Sequence, residues 1–69
     1  MLEPIEETVV NNIRKARKEA GLTQEQLAEM LNCFQTQVAR FETTRCPHIK
    51  DLAKIANALS KPICYFFEE

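Results

Sequence analysis

The sequence predicts an all-α fold, a compact bundle of five helices formed by one domain over residues 1–69. In several segments apolar residues recur every three or four positions, which is the spacing of a buried helix face. No segment alternates like a half-buried strand, and no Asn-Gly or Asp-Gly pair marks a hairpin. The many aliphatic residues and the single Gly favour a packed domain over a disordered tail, although 69 residues is close to the lower limit for an unaided core.

The first two helices have recognisable ends. Pro4 suits the first turn of a helix, and Gly21 suits the left-handed residue that closes one. Thr23 and Gln26 then form a capping box, which predicts that the second helix begins here. We expect this helix to end at Asn32, because Asn is one of the few residues besides Gly that tolerate a positive φ.

A third helix is predicted over residues 35–43, with Val38 and Phe41 facing the core. Its start is unusual, because Phe34 stands where a capping Ser or Thr would be expected. The loss of such a cap costs about 1 kcal/mol. A fourth, amphipathic helix is indicated by five apolar positions at helical spacing: Ile49, Leu52, Ile55, Ala56 and Leu59.

The fifth predicted helix is short and aromatic. The stretch SKPICYFF interrupts the fourth helix at Ser60 and starts a new one at Pro62. We expect Ile63, together with Phe66 or Phe67, to lie in the core.

The formal net charge is −1, but the charges are unevenly distributed. Residues 11–20 contain four basic residues and one acidic residue, and residues 40–50 contain three basic residues and one acidic residue. The remaining acidic residues are concentrated towards the two ends of the sequence. A basic face can therefore exist on this slightly acidic protein, which keeps nucleic acid among the possible partners.

The cysteines, Cys33, Cys46 and Cys64, are odd in number and no secretion signal precedes them, which favours reduced thiols. Cys46 and His48 alone do not make a zinc site, so we expect neither a metal nor a cofactor. No apolar run reaches the roughly 18 residues of a membrane span, so we expect a cytoplasmic protein with no membrane partner. The single His and the lack of a nucleophile–base pair argue against an enzyme.

Two short helices separated by NCF form a helix-turn-helix. The stretch IRKARKEAGLTQEQLAEMLNCFQTQVARFE, followed by PHIKDLAKIANALSKPICYFF, resembles the phage-repressor (Cro-repressor or XRE) type of DNA-binding domain. The resemblance covers about residues 9–67. It implies a lambda-repressor-like bundle that binds operator DNA as a dimer and regulates transcription.

The resemblance further implies that the third helix enters the major groove. Gln35, Thr36 and Arg40 would then face base edges, and their chemistry agrees with that role. Gln pairs with adenine, Arg pairs with guanine, and the Thr methyl group contacts the methyl group of thymine. The alternative interpretation is that these polar residues form an ordinary solvated helix surface.

Contacts with the DNA backbone are expected from residues around this helix. Gln24 resembles the phosphate-contacting Gln that the family has at the start of its second helix. The full expected set is Gln24, Gln37, Arg45, His48 and Lys50. For His48 the alternative is a loop residue or a weak cap of the fourth helix.

Two charged residues are assigned to structure and not to base recognition. In the resembling family an Arg in the first helix and a Glu at the end of the third form an ion pair under the turn, and Arg17 and Glu42 occupy those positions. Four positions depart from the family pattern: Asn32, Thr44 and Ser60 replace glycines, and Phe34 replaces the capping hydroxyl.

One domain of this size touches a single half-site, so two copies about 34 Å apart on DNA are expected. The candidates for contact between the copies are Tyr65, Phe66 and Phe67, of which at least one belongs to the core.

These observations predict a sequence-specific DNA-binding regulator, most simply a repressor that binds a palindromic operator as a homodimer. A second hypothesis is the antitoxin half of a toxin–antitoxin pair, with a toxin bound through the acidic N-terminal arm or the aromatic end. A third is a protein-interaction module whose DNA-binding face has degenerated.

Overall fold

The computed structural model describes residues 2–69, which form four α-helices and one short 3₁₀ helix, with no strand among them. The predicted all-α class is therefore confirmed. The elements in chain order are α1 (Pro4–Glu19), α2 (Gln24–Leu31), α3 (Gln35–Phe41), α4 (Ile49–Ala58) and the 3₁₀ helix (Ile63–Phe67).

The predicted five-helix bundle is wrong in its last element, which is a 3₁₀ helix and not an α-helix. The segment is only five residues long, and 3₁₀ geometry is common in such short pieces. Asn12 of α1 holds its end. Its Nδ2 atom lies 2.9 Å from the carbonyl oxygen of Phe66 and 2.7 Å from that of Glu68. Carbonyl groups at the end of a helix have no partner within it, so Asn12 satisfies these groups and ties the segment to α1.

Helix α2 begins and ends where its residues predict. The backbone N–H of Gln26 donates to the Oγ1 atom of Thr23 at 3.1 Å, and the N–H of Thr23 donates to the Oε1 atom of Gln26 at 2.8 Å. Asn32 closes α2 with φ of 58°, in the left-handed region. The predicted capping box and helix end are both confirmed.

Helix α3 ends at Phe41, two residues before the predicted end. The N–H groups of Thr44 and Arg45 both donate to the carbonyl of Arg40, at 3.0 and 2.9 Å. This turn takes the chain away from the helix axis. The N–H of Thr43 also donates to the carbonyl of Arg40, three residues before it and at 3.2 Å, so Thr43 belongs to the turn.

All four α-helices and the 3₁₀ helix contribute to one core. Its buried hydrophobic members are Val9, Ile13, Ala16, Leu27, Ala28, Val38, Leu52, Ile55, Ala56, Leu59 and Phe66. Phe66 is completely buried, whereas Ile63 is 39% exposed, so the prediction that Ile63 lies in the core is wrong. The bonds from Asn12 hold the later end of the 3₁₀ helix against α1, and Ile63 lies before that anchored end.

Candidate nucleic-acid interface

Helix α3 has one face in the core and one face in solvent. Val38 is completely buried and Phe41 is half-buried, which fixes the rotation of this short helix. The four polar side chains on the remaining surface are all exposed: Gln35, Thr36, Gln37 and Arg40. The side chains expected to contact bases are thus free of the protein core and face outward.

A chain of hydrogen bonds connects this outer face to the interior. The Nε2 atom of Gln35 donates to the Oε1 atom of Gln24 at 2.6 Å. The Nε2 atom of Gln24 donates in turn to the Oε1 atom of Glu42 at 3.2 Å. Two residues assigned to different DNA contacts therefore touch each other, and both are connected to a buried carboxylate.

The carboxylate determines the direction of this chain of bonds. An ionised carboxylate only accepts hydrogen bonds, so Gln24 must turn its NH₂ group towards Glu42. The side-chain carbonyl oxygen of Gln24 then faces Gln35 and accepts a hydrogen bond from the NH₂ group of Gln35. Gln35 is left with a free carbonyl oxygen and one free N–H, and this pair of groups is complementary to the N6 and N7 edge of adenine.

Arg17 and Glu42 form a two-point ion pair between α1 and the end of α3. The Nε atom of Arg17 lies 2.6 Å from Oε2 of Glu42, and its Nη2 atom lies 3.1 Å from Oε1. The Nη1 atom donates to the carbonyl of Leu22 at 2.7 Å. Glu42 is 1% exposed and Arg17 is 9% exposed, so the pair lies beneath the helix-turn-helix and holds α3 to α1.

Four of the side chains expected at the DNA surface border one small cleft of about 100 Å³. They are Gln37 and Arg40 of α3 and Arg45 and His48 of the following loop. Lys50, in the first turn of α4, is exposed but does not border this cleft. Asp51 borders the cleft as well, so the positive potential there is partly offset.

Two of the three cysteine thiols, those of Cys33 and Cys46, are partly buried. Burial, and next the negative charge of Asp51, raises the pKa of Cys33 above its ordinary value. Burial, and next the charge of Glu6, raises the pKa of Cys46.

Within residues 2–69 no three His, Cys, Asp or Glu side chains are grouped so as to hold a metal ion.

The aromatic end contains only one clearly exposed ring. Phe66 is fully buried, so it is corrected from a candidate dimer contact to a core residue. Tyr65 is half-buried, with its hydroxyl 3.4 Å from Oε1 of Glu19 and its ring 5.2 Å from that of Phe66. Phe67 is 39% exposed and remains the candidate contact for a second copy.

Sequence reasoning missed the contacts of Gln24 with Gln35 and Glu42. These residues are 11 and 18 positions apart, so no helical spacing indicates that they meet. It also missed the anchoring role of Asn12, whose partners lie more than 50 positions away. In each case the sequence shows only an amide side chain, Gln24 or Asn12, on a helix whose other residues are explained by helical spacing and capping.

The comparisons with known proteins agree with this geometry. A family model described as helix-turn-helix matches residues 13–66, which is more than three quarters of the chain. No curated protein matches the sequence. In the part of the chain that the structure describes, no helix is long and apolar enough to cross a membrane. The match includes α2, the turn, α3 and the buried pair beneath them, and the chain belongs to the XRE-type, or phage-repressor, helix-turn-helix family of DNA-binding regulators.

Proposed function

We propose that this protein is a repressor that binds a palindromic operator as a homodimer, with α3 of each copy in the major groove. The observation that carries the proposal is the solvent-facing polar surface of α3, whose first residue, Gln35, is held by Gln24. Repression then follows from occupancy, because a protein bound over an operator excludes the polymerase.

Base recognition is assigned to three side chains on this surface. Gln35 has a free acceptor and a free donor, which pair with N6 and N7 of adenine. Arg40 lies farther along the helix and is exposed, so its guanidinium group is available for O6 and N7 of guanine. The methyl group of Thr36 contacts a neighbouring base.

Contacts with the sugar-phosphate backbone of the DNA orient α3 over the bases. Gln24 uses one N–H for Glu42 and keeps its second for a phosphate oxygen, so it joins base recognition to backbone positioning. The other proposed backbone contacts are Gln37, Arg45, His48 and Lys50, all of which are exposed. Arg45 and Lys50 supply the formal positive charge among them.

The proposed dimer follows from size. The longest dimension of the domain is 28 Å, whereas two successive half-sites on one face of DNA are about 34 Å apart. One copy therefore cannot occupy both half-sites. We assign the contact between copies to the exposed part of the 3₁₀ helix, with Phe67 at its centre and the half-buried Tyr65 beside it.

Selection of bound sequences from random duplexes tests this proposal. We expect an enriched inverted repeat, with half-sites separated by one helical turn or a multiple of it. Binding to unrelated duplexes should weaken steeply as salt is raised. The protein displaces counterions from the DNA, and the entropy gained by their release is smaller when the salt concentration in solution is high. If no sequence is enriched and no duplex is bound at low salt, the DNA-binding proposal is wrong and a protein-interaction module is favoured.

The antitoxin hypothesis additionally predicts a protein partner. An antitoxin would show the same enriched repeat and would also co-purify with a second protein encoded nearby. A repressor that acts alone would purify as a homodimer. Measurement of the mass of the native complex by light scattering therefore separates these two functions.

A further inference from the structure

The most exposed large hydrophobic residue in the described chain is Phe34, at 80% exposure. It is the N-cap of α3 and directly precedes Gln35, yet its side chain makes no capping hydrogen bond. A Ser, Thr, Asp or Asn would supply that bond. The ring thus contributes neither to the cap nor to the core, although it stands at the end of α3 that we assign to DNA.

The surroundings of the ring disfavour an anionic partner. Phe34 borders an open cleft of about 340 Å³ together with Glu29, Asn32 and Cys33. The exposed carboxylate of Glu29 repels phosphate, so the DNA backbone is a poor occupant of this cleft. An uncharged apolar group meets no such repulsion there.

We propose that the ring of Phe34 packs against the C5-methyl group of a thymine next to the base pair that Gln35 contacts. This inference rests on the proposed function, since it places α3 in the major groove. The thymine methyl is the apolar group that the major-groove edges of the bases display, and phenylalanine is among the side chains that contact it. Phe34 is then a specificity-determining residue that adds a thymine to the half-site.

The position of Phe34 favours DNA over a second copy of the chain as its partner. The residues assigned to dimer contact lie on the 3₁₀ helix, which packs against α1. Phe34 instead adjoins Gln35, whose free acceptor and donor we assign to a base edge. Contact with thymine extends the same surface by one residue.

Replacing thymine by deoxyuridine tests the inference, because this change removes the methyl group and leaves base pairing intact. Each thymine of the selected half-site is replaced in turn, and the dissociation constant is measured for the wild type. We expect one position at which affinity falls about fourfold, the factor that corresponds to exposing one buried methyl-sized group. Phe34→Ala should bind the thymine operator more weakly and should bind both duplexes equally at that position.

Met30→Ala is the matched control, because Met30 is a 53% exposed apolar residue on α2. It should keep the wild-type preference for thymine over deoxyuridine. Phe34→Ala should also keep the wild-type melting temperature, since the ring is exposed and makes no cap.

Any of four outcomes would overturn the inference. If the wild type binds its operator but tolerates deoxyuridine everywhere, or if Phe34→Ala keeps the preference, the thymine contact is wrong while the proposed function stands. If Phe34→Ala changes only the mass of the native complex, the ring is a protein contact. If no operator can be selected at all, the proposed function fails together with the inference.

Discussion

Removal of the carboxylate of Glu42 is the most informative test of how α3 is held. The variant Glu42→Ala leaves Arg17 with one of its three short contacts, the bond to the carbonyl of Leu22. It also removes the acceptor that fixes the amide group of Gln24. The guanidinium group remains mostly buried and loses its counter-ion.

The expected loss of stability can be worked out from this geometry. Breaking a buried ion pair by removing one partner costs about 3–5 kcal/mol. The side chain of Arg17 is 11% exposed, so water reaches part of the charge and the lower end, about 3 kcal/mol, applies. For a domain of this size, about 3 kcal/mol corresponds to a fall in melting temperature of roughly 12–24 °C.

Thermal and urea unfolding followed by circular dichroism measure this loss. Glu42→Gln keeps the volume of the side chain and one acceptor oxygen, so we expect a smaller decrease than for the Ala variant. Glu29→Ala is the matched control, because that carboxylate is exposed on α2 and should change stability by no more than about 0.5 kcal/mol. A melting temperature for Glu42→Ala within a few degrees of the control would refute the structural role of the pair.

Three further predictions concern the outer surface. Arg40→Ala should abolish operator preference without changing the melting temperature, because the side chain is exposed. Competition binding against unrelated duplex measures the preference, and an unchanged preference would contradict the assignment of Arg40 to a base. Phe34→Ser should stabilise the fold by about 1 kcal/mol by restoring a cap, as measured by urea unfolding; a destabilised variant would show that the ring supports α3. Cys64 should react with iodoacetamide before Cys33 and Cys46 at neutral pH, because it is exposed and the raised pKa values of the other two reduce their thiolate fraction. Peptide mass mapping gives the order in which the three cysteines are alkylated. Equal alkylation rates at all three would refute the prediction.

Local sequence signals predicted the parts of the fold that local chemistry controls. Thr23 and Gln26 are three residues apart and cap α2 by themselves, and Asn32 ends it through its own backbone preference. The pairing of Arg17 with Glu42, 25 positions apart, could be anticipated only from the resemblance to phage repressors.

The features that escaped prediction depend on tertiary contacts. Asn12 bonds to the carbonyls of the last segment, and such a long-range contact has no signature in helical periodicity. Phenylalanine is usually buried, so composition alone gave no reason to expect Phe34 at 80% exposure. The orientation of Gln35 depends on Gln24, whose side chain reaches it only after the turn has formed.

The central claim is that the polar surface of α3 contacts base edges, and the side-chain NH₂ resonances of the glutamines test it most directly. On addition of the selected operator duplex, the NH₂ signals of Gln35 and Gln24 should shift strongly, while that of Asn57, exposed on α4, stays in place. Unshifted Gln35 and Gln24 signals in a saturated complex, with the changes confined to other helices, would contradict the account.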